Sequence, residues 1–580
     1  MRVADYIFKF LESKGIKYAH EVVGGGAMYL NDVVSKSSIT PIFHHHEQAA
    51  AMAAVGYSKY TNEPGLVVCT SGCGSTNVIT GLLDAWQDSN KLIVISGQAN
   101  KKEISHFGQR KNGIQEVNIC EIVKSITKYV VTISNPLSIA YDLEKAYYLC
   151  TTGRPGPVWI DVPLDVQHVE IDEEQLEHYT PPPGILPNPN SIKIVEDYLS
   201  KSTRPIIIAG YGIHLSNSKQ EFKNFIEHYQ IPVATTILGT DFLEEDHPLY
   251  VGRIGLKGTR AGNFAVANSD LIIGLGTSMH LSNIGFDASL FGRKAKIITV
   301  DVDVIQSAVH IDKQIVCDLK SFFKFPYTLN YNAPIDWIKK CQHWKNKWNI
   351  FDRVDINELN LYSFTKKLSE ITKDIDSTVI TDAGSTNYVL TQALSNNKLI
   401  FPASQGEMGF AIPAAIGVAL ADKKTKTIVV VGEGSFQFNI QELQTIVQYN
   451  LPIKIFVINN GGYLTIKNTQ TKFFNKNYTG MNEATGVSFP ELNHISYAYN
   501  IPSFTITDHN DLNFNLSCFI NSGVGFICEV LTPNDEQIYP TNASLQKEDG
   551  TIVAQPLENM HPFLSKEEYE QEMIIPIYLK

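Results

Sequence analysis

The chain has 580 residues, 43% of them hydrophobic and 19% charged, with 39 glycines and 26 prolines, which excludes disorder, collagen-like repeats and a disulfide scaffold. A net charge of −12 with no basic block disfavours a nucleic-acid role, because such binding needs a cationic, counterion-releasing face. Eight cysteines without a CxxC pair do not make a zinc or disulfide framework, and Cys69 and Cys73 have three residues between them and no second pair nearby. At roughly 150 residues per domain, three or four domains are expected.

In chain order, the first segment reads as an amphipathic helix with Val3, Ile7, Phe8 and Leu11 on one face. It lacks the apolar centre of a signal peptide, and no run reaches the ~18 apolar residues of a membrane span. A soluble, cytoplasmic protein with no membrane partner is therefore expected. Short β-branched runs ending in glycine or asparagine follow at 65–72, 91–97, 204–210, 270–276, 426–434 and 451–460. None alternates strictly, as expected for strands covered by helices on both faces of a parallel sheet. Helical patterns lie between them, such as HEQAAAMAAVGYSKY (46–60) and NIQELQTIVQYN (439–450). Repeated strand–helix units predict an α/β fold of three doubly wound parallel-sheet domains. The proline-rich stretch 178–190 and a Trp/Lys-rich stretch near 330–356 mark the boundaries. The blocks are then 1–177, 190–330 and 356–535, followed by a tail, 536–580, with little periodicity that is expected to wrap over another part of the protein.

The third block carries the strongest chemical pattern. A strand runs into Gly432, Glu433, Gly434 and Ser435, a helical segment follows, and a second strand ends at Asn459, Asn460, Gly461 and Gly462. One strand–helix–strand unit separates the two corners, so both should lie at the same carboxyl edge of a parallel sheet. Glycines there let backbone approach a phosphate, and a helix N-terminus favours its charge. A carboxylate, an amide oxygen and a backbone carbonyl supply hard oxygen ligands that suit Mg²⁺ together with phosphate oxygens and water. The run His44–His46 tempts a metal reading, but alternation in an extended strand turns His45 away from its neighbours.

This segment resembles the GDG…NN signature of thiamine-diphosphate-dependent enzymes, in the acetolactate-synthase/pyruvate-oxidase branch. The likeness extends over nearly the whole chain. The stretch from PIFHHHEQ to IVISGQ (41–98) resembles the branch's pyrimidine-binding domain; TTGRPGPVWIDVPLDVQ (151–167) resembles that domain's close, and EMGFAIPAAIGVAL (407–420) the approach to the metal motif. Carried over, Glu47 matches the glutamate that hydrogen-bonds the aminopyrimidine N1′ and promotes its imino tautomer. Gly25, Gly26 and Gln115 match positions facing the reactive centre across a subunit interface. Glu433, Asn460 and the Gly462 carbonyl match the Mg²⁺ ligands. Gly434 and Ser435, with Ser385 and Thr386, match diphosphate donors, and Met408 matches the bulky residue beneath the bent cofactor. Asn77, Gly406, Gly432 and Leu464 complete the cofactor set. The resemblance implies thiamine diphosphate and Mg²⁺, a 2-oxo acid such as pyruvate as donor, a carbonyl acceptor, and a homodimer or homotetramer with shared sites.

Departures narrow the reading. The metal motif is GEG, one methylene longer than GDG, which bears on metal preference. Ser278 and Ser282 stand where the resembled synthases carry arginines serving the flavin or second substrate, and the tryptophan expected near Thr469 is absent. Losing an arginine removes a bidentate anion clamp, so a second 2-oxo acid becomes a weaker candidate acceptor and FAD stays an open question. VVGGGAMYLND (22–32), HFGQRKNGIQEVNICEIVKSITKY (106–129) and PLENMHPFL (556–564) look more like a sub-branch tied to bacterial surface-sugar biosynthesis, which implies a nucleotide-linked keto sugar as acceptor. Two other readings share the motifs: a thiamine-diphosphate-dependent hydrolase of a C–C bond in a cyclic dione, and a catalytically inactive binding homologue.

Overall fold

The computed structural model describes residues 1–105, 109–183, 188–352, 354–542, 544–546 and 551–578. Three six-stranded sheets, parallel throughout, follow one another along the chain. In the first, the strands Thr40–Phe43, Tyr18–Glu21, Gly65–Cys69, Leu92–Gln98, Val158–Pro163 and Tyr129–Thr132 lie side by side in that order. In the third, Lys398–Ile400, Ser377–Ile380, Lys426–Gly432, Lys454–Asn459, Phe526–Leu531 and Ser503–Ile506 lie in the same relative order, 2-1-3-4-6-5 by chain appearance. The middle sheet differs. Its strands Tyr250–Arg253, Val233–Thr235, Pro205–Ala209, Leu271–Leu275, Lys296–Asp301 and Lys313–Val316 run 3-2-1-4-5-6, the dinucleotide-fold order.

Central strands such as Gly65–Cys69, Pro205–Ala209 and Leu271–Leu275 are buried at every residue, which explains why their sequences do not alternate. The N-terminal helix Val3–Ser13 buries Val3, Ile7, Phe8 and Leu11 as its pattern predicts. No helix among the described residues is long and apolar enough to cross a membrane.

Two helices rich in small residues join the first and third sheets. Glu47–Thr61 packs on Ala411–Ala421 so closely that a Cβ on Gly56 would lie 2.5 Å from Ala414 Cα, and one on Gly417 would lie 2.0 Å from the Ala53 carbonyl oxygen. Alanine and glycine on both faces permit this approach, and the packed backbones make the pair stiff. One buried core accordingly runs from Val67 and Trp159 of the first sheet to Val429 and Ile455 of the third.

The tail folds back on the middle region. Asn542 N–H donates to the Leu256 carbonyl at 2.8 Å, and Thr541–Asn542 pairs antiparallel with Met560–His561. The helix Lys566–Glu572 brings Glu572 to Lys340, Trp344 and Lys347 of the helix Ile335–Lys347. That helix in turn packs on the middle sheet, with Trp337 Nε1 donating to the Pro205 carbonyl.

One expected helix is broken. After the turn Glu433–Phe436, residues Gln437–Glu442 form a 3₁₀ segment with Asn439 at φ −135°, and α-helix resumes only at Leu443–Gln448. The Asn439 side chain explains the break. Its amide donates to the Gly409 carbonyl at 2.8 Å and to Gln48 Oε1 at 3.4 Å, contacts that regular helical geometry would not allow here.

Candidate active site

Two clusters form at the carboxyl edges of the first and third sheets. In the first, Glu47 opens its helix directly after the strand Thr40–Phe43, with His46 Nδ1 capping the N-terminus by accepting from Gln48 N–H. Glu47 is buried, and its Oε2 accepts from Asn77 Nδ2 at 2.9 Å. A Cβ on Gly74 would lie 3.3 Å from Oε1, so the turn after Cys69 wraps this carboxylate closely. The same turn gathers the other residues read from the sequence. Thr70 Oγ1 accepts from Gly26 N–H at 3.0 Å, and a Cβ on Gly72 would meet the Gln115 carbonyl at 2.6 Å. Gln167 Nε2 holds the Gly26 carbonyl from below at 2.8 Å. Thus Glu47, Gly25, Gly26, Gln115 and Asn77 share one edge, with Asn77 bonded to Glu47.

The third-sheet cluster is the corner predicted from GEG…NN. Gly432 pairs with Ile458, so Glu433 and Asn459–Asn460 leave adjacent strands side by side. Glu433 Oε1 accepts from Gly462 N–H at 2.7 Å and from Asn460 N–H at 3.2 Å. Burial pushes the Glu433 carboxyl up to about 7 despite these donors. Asn460 Oδ1 is buried without a hydrogen-bond partner, which is costly unless something electropositive completes it. Gly462 has φ 145°, a conformation open to glycine, and its carbonyl accepts from Leu464 N–H at 3.1 Å with one lone pair remaining. Carboxylate, orphaned amide oxygen and carbonyl are a donor set that fits a hard divalent cation. It contains a single carboxylate, in keeping with the finding that no group of three His, Cys, Asp or Glu among the described residues could hold a metal.

Ser385 and Thr386 open the helix Ser385–Ala393 at the neighbouring strand end, where Thr381 Oγ1 donates to Thr386 Oγ1. Ser435 is buried against Asp382, Gly434 lies under the Tyr463 ring, and Leu464 starts the helix Leu464–Phe473. Gly406 and Met408 lie in the loop before Ala411–Ala421, Gly406 at φ 66° with open space where a Cβ would be. Exposed backbone at a glycine beside helix N-termini is the arrangement that accepts phosphate oxygens.

Sequence reasoning missed several residues that shape these edges. Asp382 Oδ2 accepts from Gly409 N–H at 3.1 Å, fixing the Met408 loop, and burial raises its carboxyl to about 7. His44, set aside as a metal ligand, is buried in a chain: its Nδ1 pairs with Glu442 Oε2 and its Nε2 with His20 Nδ1, both at 2.9 Å. Lys59 is buried among Asp84, Asp88 and the Phe401 carbonyl, while Asp88 also accepts from Ala403 and Ser404 N–H. Contacts between separate elements, from 24 to 398 residues apart, reveal these roles; the TDAGSTN run was the single local hint, for Asp382.

The middle sheet has its own crevice of about 1090 Å³ where its strand order reverses. Gly212, Gly276, Asp301 and Ser278 line it, and its basic lining is Arg154 and His280.

Among the described residues, no hydrogen bond, ion pair or ring contact joins Glu47, Asn77 or Gln115 to Ser385, Glu433 or Asn460. Apolar side chains stand exposed beside both clusters: Val23, Met28 and Ile114 at the first, Phe438 and Ile466 at the third.

Comparison with known proteins gives three family matches: the thiamine pyrophosphate enzyme N-terminal TPP binding domain over residues 1–122, the central domain over 192–324, and the C-terminal TPP binding domain over 382–530. Similar proteins include a probable acetolactate synthase large subunit of Methanocaldococcus jannaschii, 30% identical across 98% of both chains. The acetolactate synthase large subunit of Lactococcus lactis is 32% identical across 93% of each chain. The isozyme 2 large subunit of Escherichia coli is 28% identical, covering 93% of this chain and 97% of its own.

Proposed function

The chain belongs to the family of thiamine pyrophosphate enzymes, in its acetolactate synthase-like branch, and on that premise we propose that it decarboxylates a 2-oxo acid, pyruvate first, and transfers the acyl unit to a carbonyl acceptor. The observation that carries this reading is the third-sheet corner, where Glu433, the orphaned Asn460 Oδ1 and the Gly462 carbonyl converge beside phosphate-ready backbone. These three would hold Mg²⁺, and Gly434, Ser435, Ser385 and Thr386 the diphosphate. Bound there, thiamine diphosphate supplies a nucleophilic carbon and an electron sink for the decarboxylation.

The protein's part is positioning and proton control. Glu47, buried and steered by Asn77, holds or moves one proton at a ring nitrogen of the cofactor, as a general acid–base group must from hydrogen-bond reach. Asp382 pins the loop carrying Met408, which would hold that side chain in place to support the cofactor. Glu47 and the Glu433 corner complete one site when a second copy brings its own half, a reading supported by the exposed apolar side chains at both clusters. A homodimer or dimer of dimers is expected, and a fully active monomer in sedimentation-coupled assays would overturn it. Decarboxylation with acyl transfer is redox-neutral and needs no flavin; the absorbance spectrum of the purified protein reads whether the middle crevice retains FAD.

The acceptor we favour is a nucleotide-linked keto sugar. The test is incubation with thiamine diphosphate, Mg²⁺ and pyruvate, with and without candidate keto sugars. CO₂ release with an acceptor-linked product is the expected result. CO₂ release that never yields an acceptor-linked product sinks the transfer reading, and no CO₂ from pyruvate or any other 2-oxo acid sinks the donor reading.

A further inference from the structure

Lys257 follows the middle-sheet strand Tyr250–Arg253 and is mostly buried where three parts of the chain meet. Its ammonium donates to Thr541 Oγ1 of the tail at 2.8 Å and stands 4.7 Å from the Tyr388 ring centroid. Both partners are neutral. A buried ammonium normally sits opposite a carboxylate, because desolvation without a counter-charge is costly. Here the charge that acts on Lys257, among the described residues, is another cation, Lys472, and burial together with Lys472 brings the lysine down to about 8. His561, which pairs with Thr541 across the tail hairpin, is likewise held down by burial, Lys472 and Arg260. The adjoining segment adds no charge from Ser278 or Ser282, although the Ser282 carbonyl fixes the loop by accepting Leu256 N–H at 2.9 Å.

The place of this cationic cluster matters. Tyr388 lies three residues beyond Ser385 on one helix, a rise of about 4.5 Å. Lys472 lies eight residues beyond Leu464 on the helix that leaves the Asn459–Gly462 corner, a rise of about 12 Å. Arg253 clamps the same Ser385–Ala393 helix from the middle sheet through the Gln392 and Leu394 carbonyls, so the loop bearing Lys257 is held in register with it. Positive charge with no carboxylate partner among the described residues, one to two helical turns from the cofactor-holding residues, suits the far, anionic end of a substrate whose carbonyl sits at the reactive centre.

We propose that Lys257, with Lys472 and His561, forms a subsite for the phosphate or diphosphate group of the carbonyl acceptor. Two ammonium groups exceed what a single carboxylate would neutralise, and the His561 ring, held toward its neutral form, adds a hydrogen-bonding partner, so a phosphate-bearing acceptor is favoured over a second 2-oxo acid. The inference rests on the acyl-transfer reading and names the class of its acceptor.

The test uses the holoenzyme saturated with thiamine diphosphate and Mg²⁺. Inorganic phosphate is titrated calorimetrically into wild type, Lys257→Met, Lys472→Met and Lys257→Arg. Each methionine variant should weaken phosphate binding about tenfold, the equivalent of one charge-assisted hydrogen bond, and Lys257→Arg should retain most of it. In parallel, pyruvate is turned over with D-glyceraldehyde 3-phosphate or uncharged D-glyceraldehyde. Lys257→Met should raise KM for the phosphorylated aldehyde about tenfold more than for the uncharged one. Phosphate binding that is undetectable in wild type, or equal in wild type and both methionine variants, overturns the subsite. A wild type that binds phosphate through Lys257 yet releases no CO₂ from pyruvate leaves the anion subsite standing and refutes the donor reading instead.

Discussion

The first and third sheets share one strand order, yet their carboxyl edges are built in opposite ways. The first edge presents a buried carboxylate, Glu47, gripped by Asn77 and wrapped by the Thr70–Gly74 turn. The third presents open glycine backbone, with Glu433 folded onto backbone N–H groups and Asn460 Oδ1 left unpaired. A closed edge suits one directed proton; an open one suits a charged, metal-bound group. The difference teaches that identical scaffolds diverge through a few loop residues, so the sheets alone would not have distinguished their roles.

The comparison breaks first at Glu433. Glu433→Ala removes the one carboxylate of the Glu433–Asn460–Gly462 donor set, and retention of thiamine diphosphate should be abolished. The check is cofactor content after gel filtration in Mg²⁺. Stoichiometric cofactor in the variant would mean that this edge is not the metal-binding one.

Glu47 should fail differently. Glu47→Gln keeps size and a hydrogen-bond partner for Asn77, so cofactor content should stay near wild type while turnover of pyruvate falls about 10²–10⁴-fold. If content and turnover fell together in both variants, the division between a proton edge and a phosphate edge would be wrong.

Much of this was legible in the sequence because it is local. Runs such as 65–72 and 426–434 end in glycine where the strands end, and the GEG and Asn-Asn-Gly corners lie one strand–helix–strand unit apart, so their meeting follows from topology. The helix after GEG was not legible. Its periodicity is sound, but Asn439 gives up helical geometry for partners at Gly409 and Gln48, up to 391 residues away. His44 was equally hidden, since its partner Glu442 lies 398 residues on. Contacts at such separation leave no pattern in a single sequence. The Lys257 cluster belongs to the same class, with its Thr541 partner 284 residues away.

A third prediction concerns the tie between the two regions at the far end of the Glu47 helix. Lys59 reaches across to the Phe401 carbonyl, and Asp88 accepts from both Lys59 and the Ala403 and Ser404 N–H groups. Burial would lower the Lys59 ammonium, but Asp84 and Asp88 hold it above its ordinary value. Lys59→Met leaves those carboxylates buried without their counter-ion, so unfolding in urea should lose about 3–5 kcal/mol. The loop leading to Met408 should loosen first, seen as faster hydrogen exchange at 401–409 than in the first sheet. Uniform exchange throughout would mean that Lys59 does not couple the regions.

The smallest effect is expected at the near end, where Glu442 joins His44 and so ties the segment before Glu47 to the one after Glu433. Burial would raise the Glu442 carboxyl, but His44, Thr445 Oγ1 and His45 N–H outweigh it and hold the group below its ordinary 4.5. A carboxylate depressed on folding stabilises the native state above its unfolded pKa, and the benefit is lost as pH falls through the folded value. Glu442→Gln should therefore cost about 1–3 kcal/mol at neutral pH, the penalty of weakening a buried hydrogen-bonded acceptor. Below pH 4.5 the gap between wild type and variant should narrow, because protonation removes from the wild type what the substitution removed already. Urea midpoints for both proteins across that interval give the gap directly, and other titrating groups cancel between them. A gap that stayed constant into acid would place the stabilisation in packing rather than in the carboxylate's charge, and the near tie would then be steric, like the Gly56–Ala414 contact farther along the Glu47 helix.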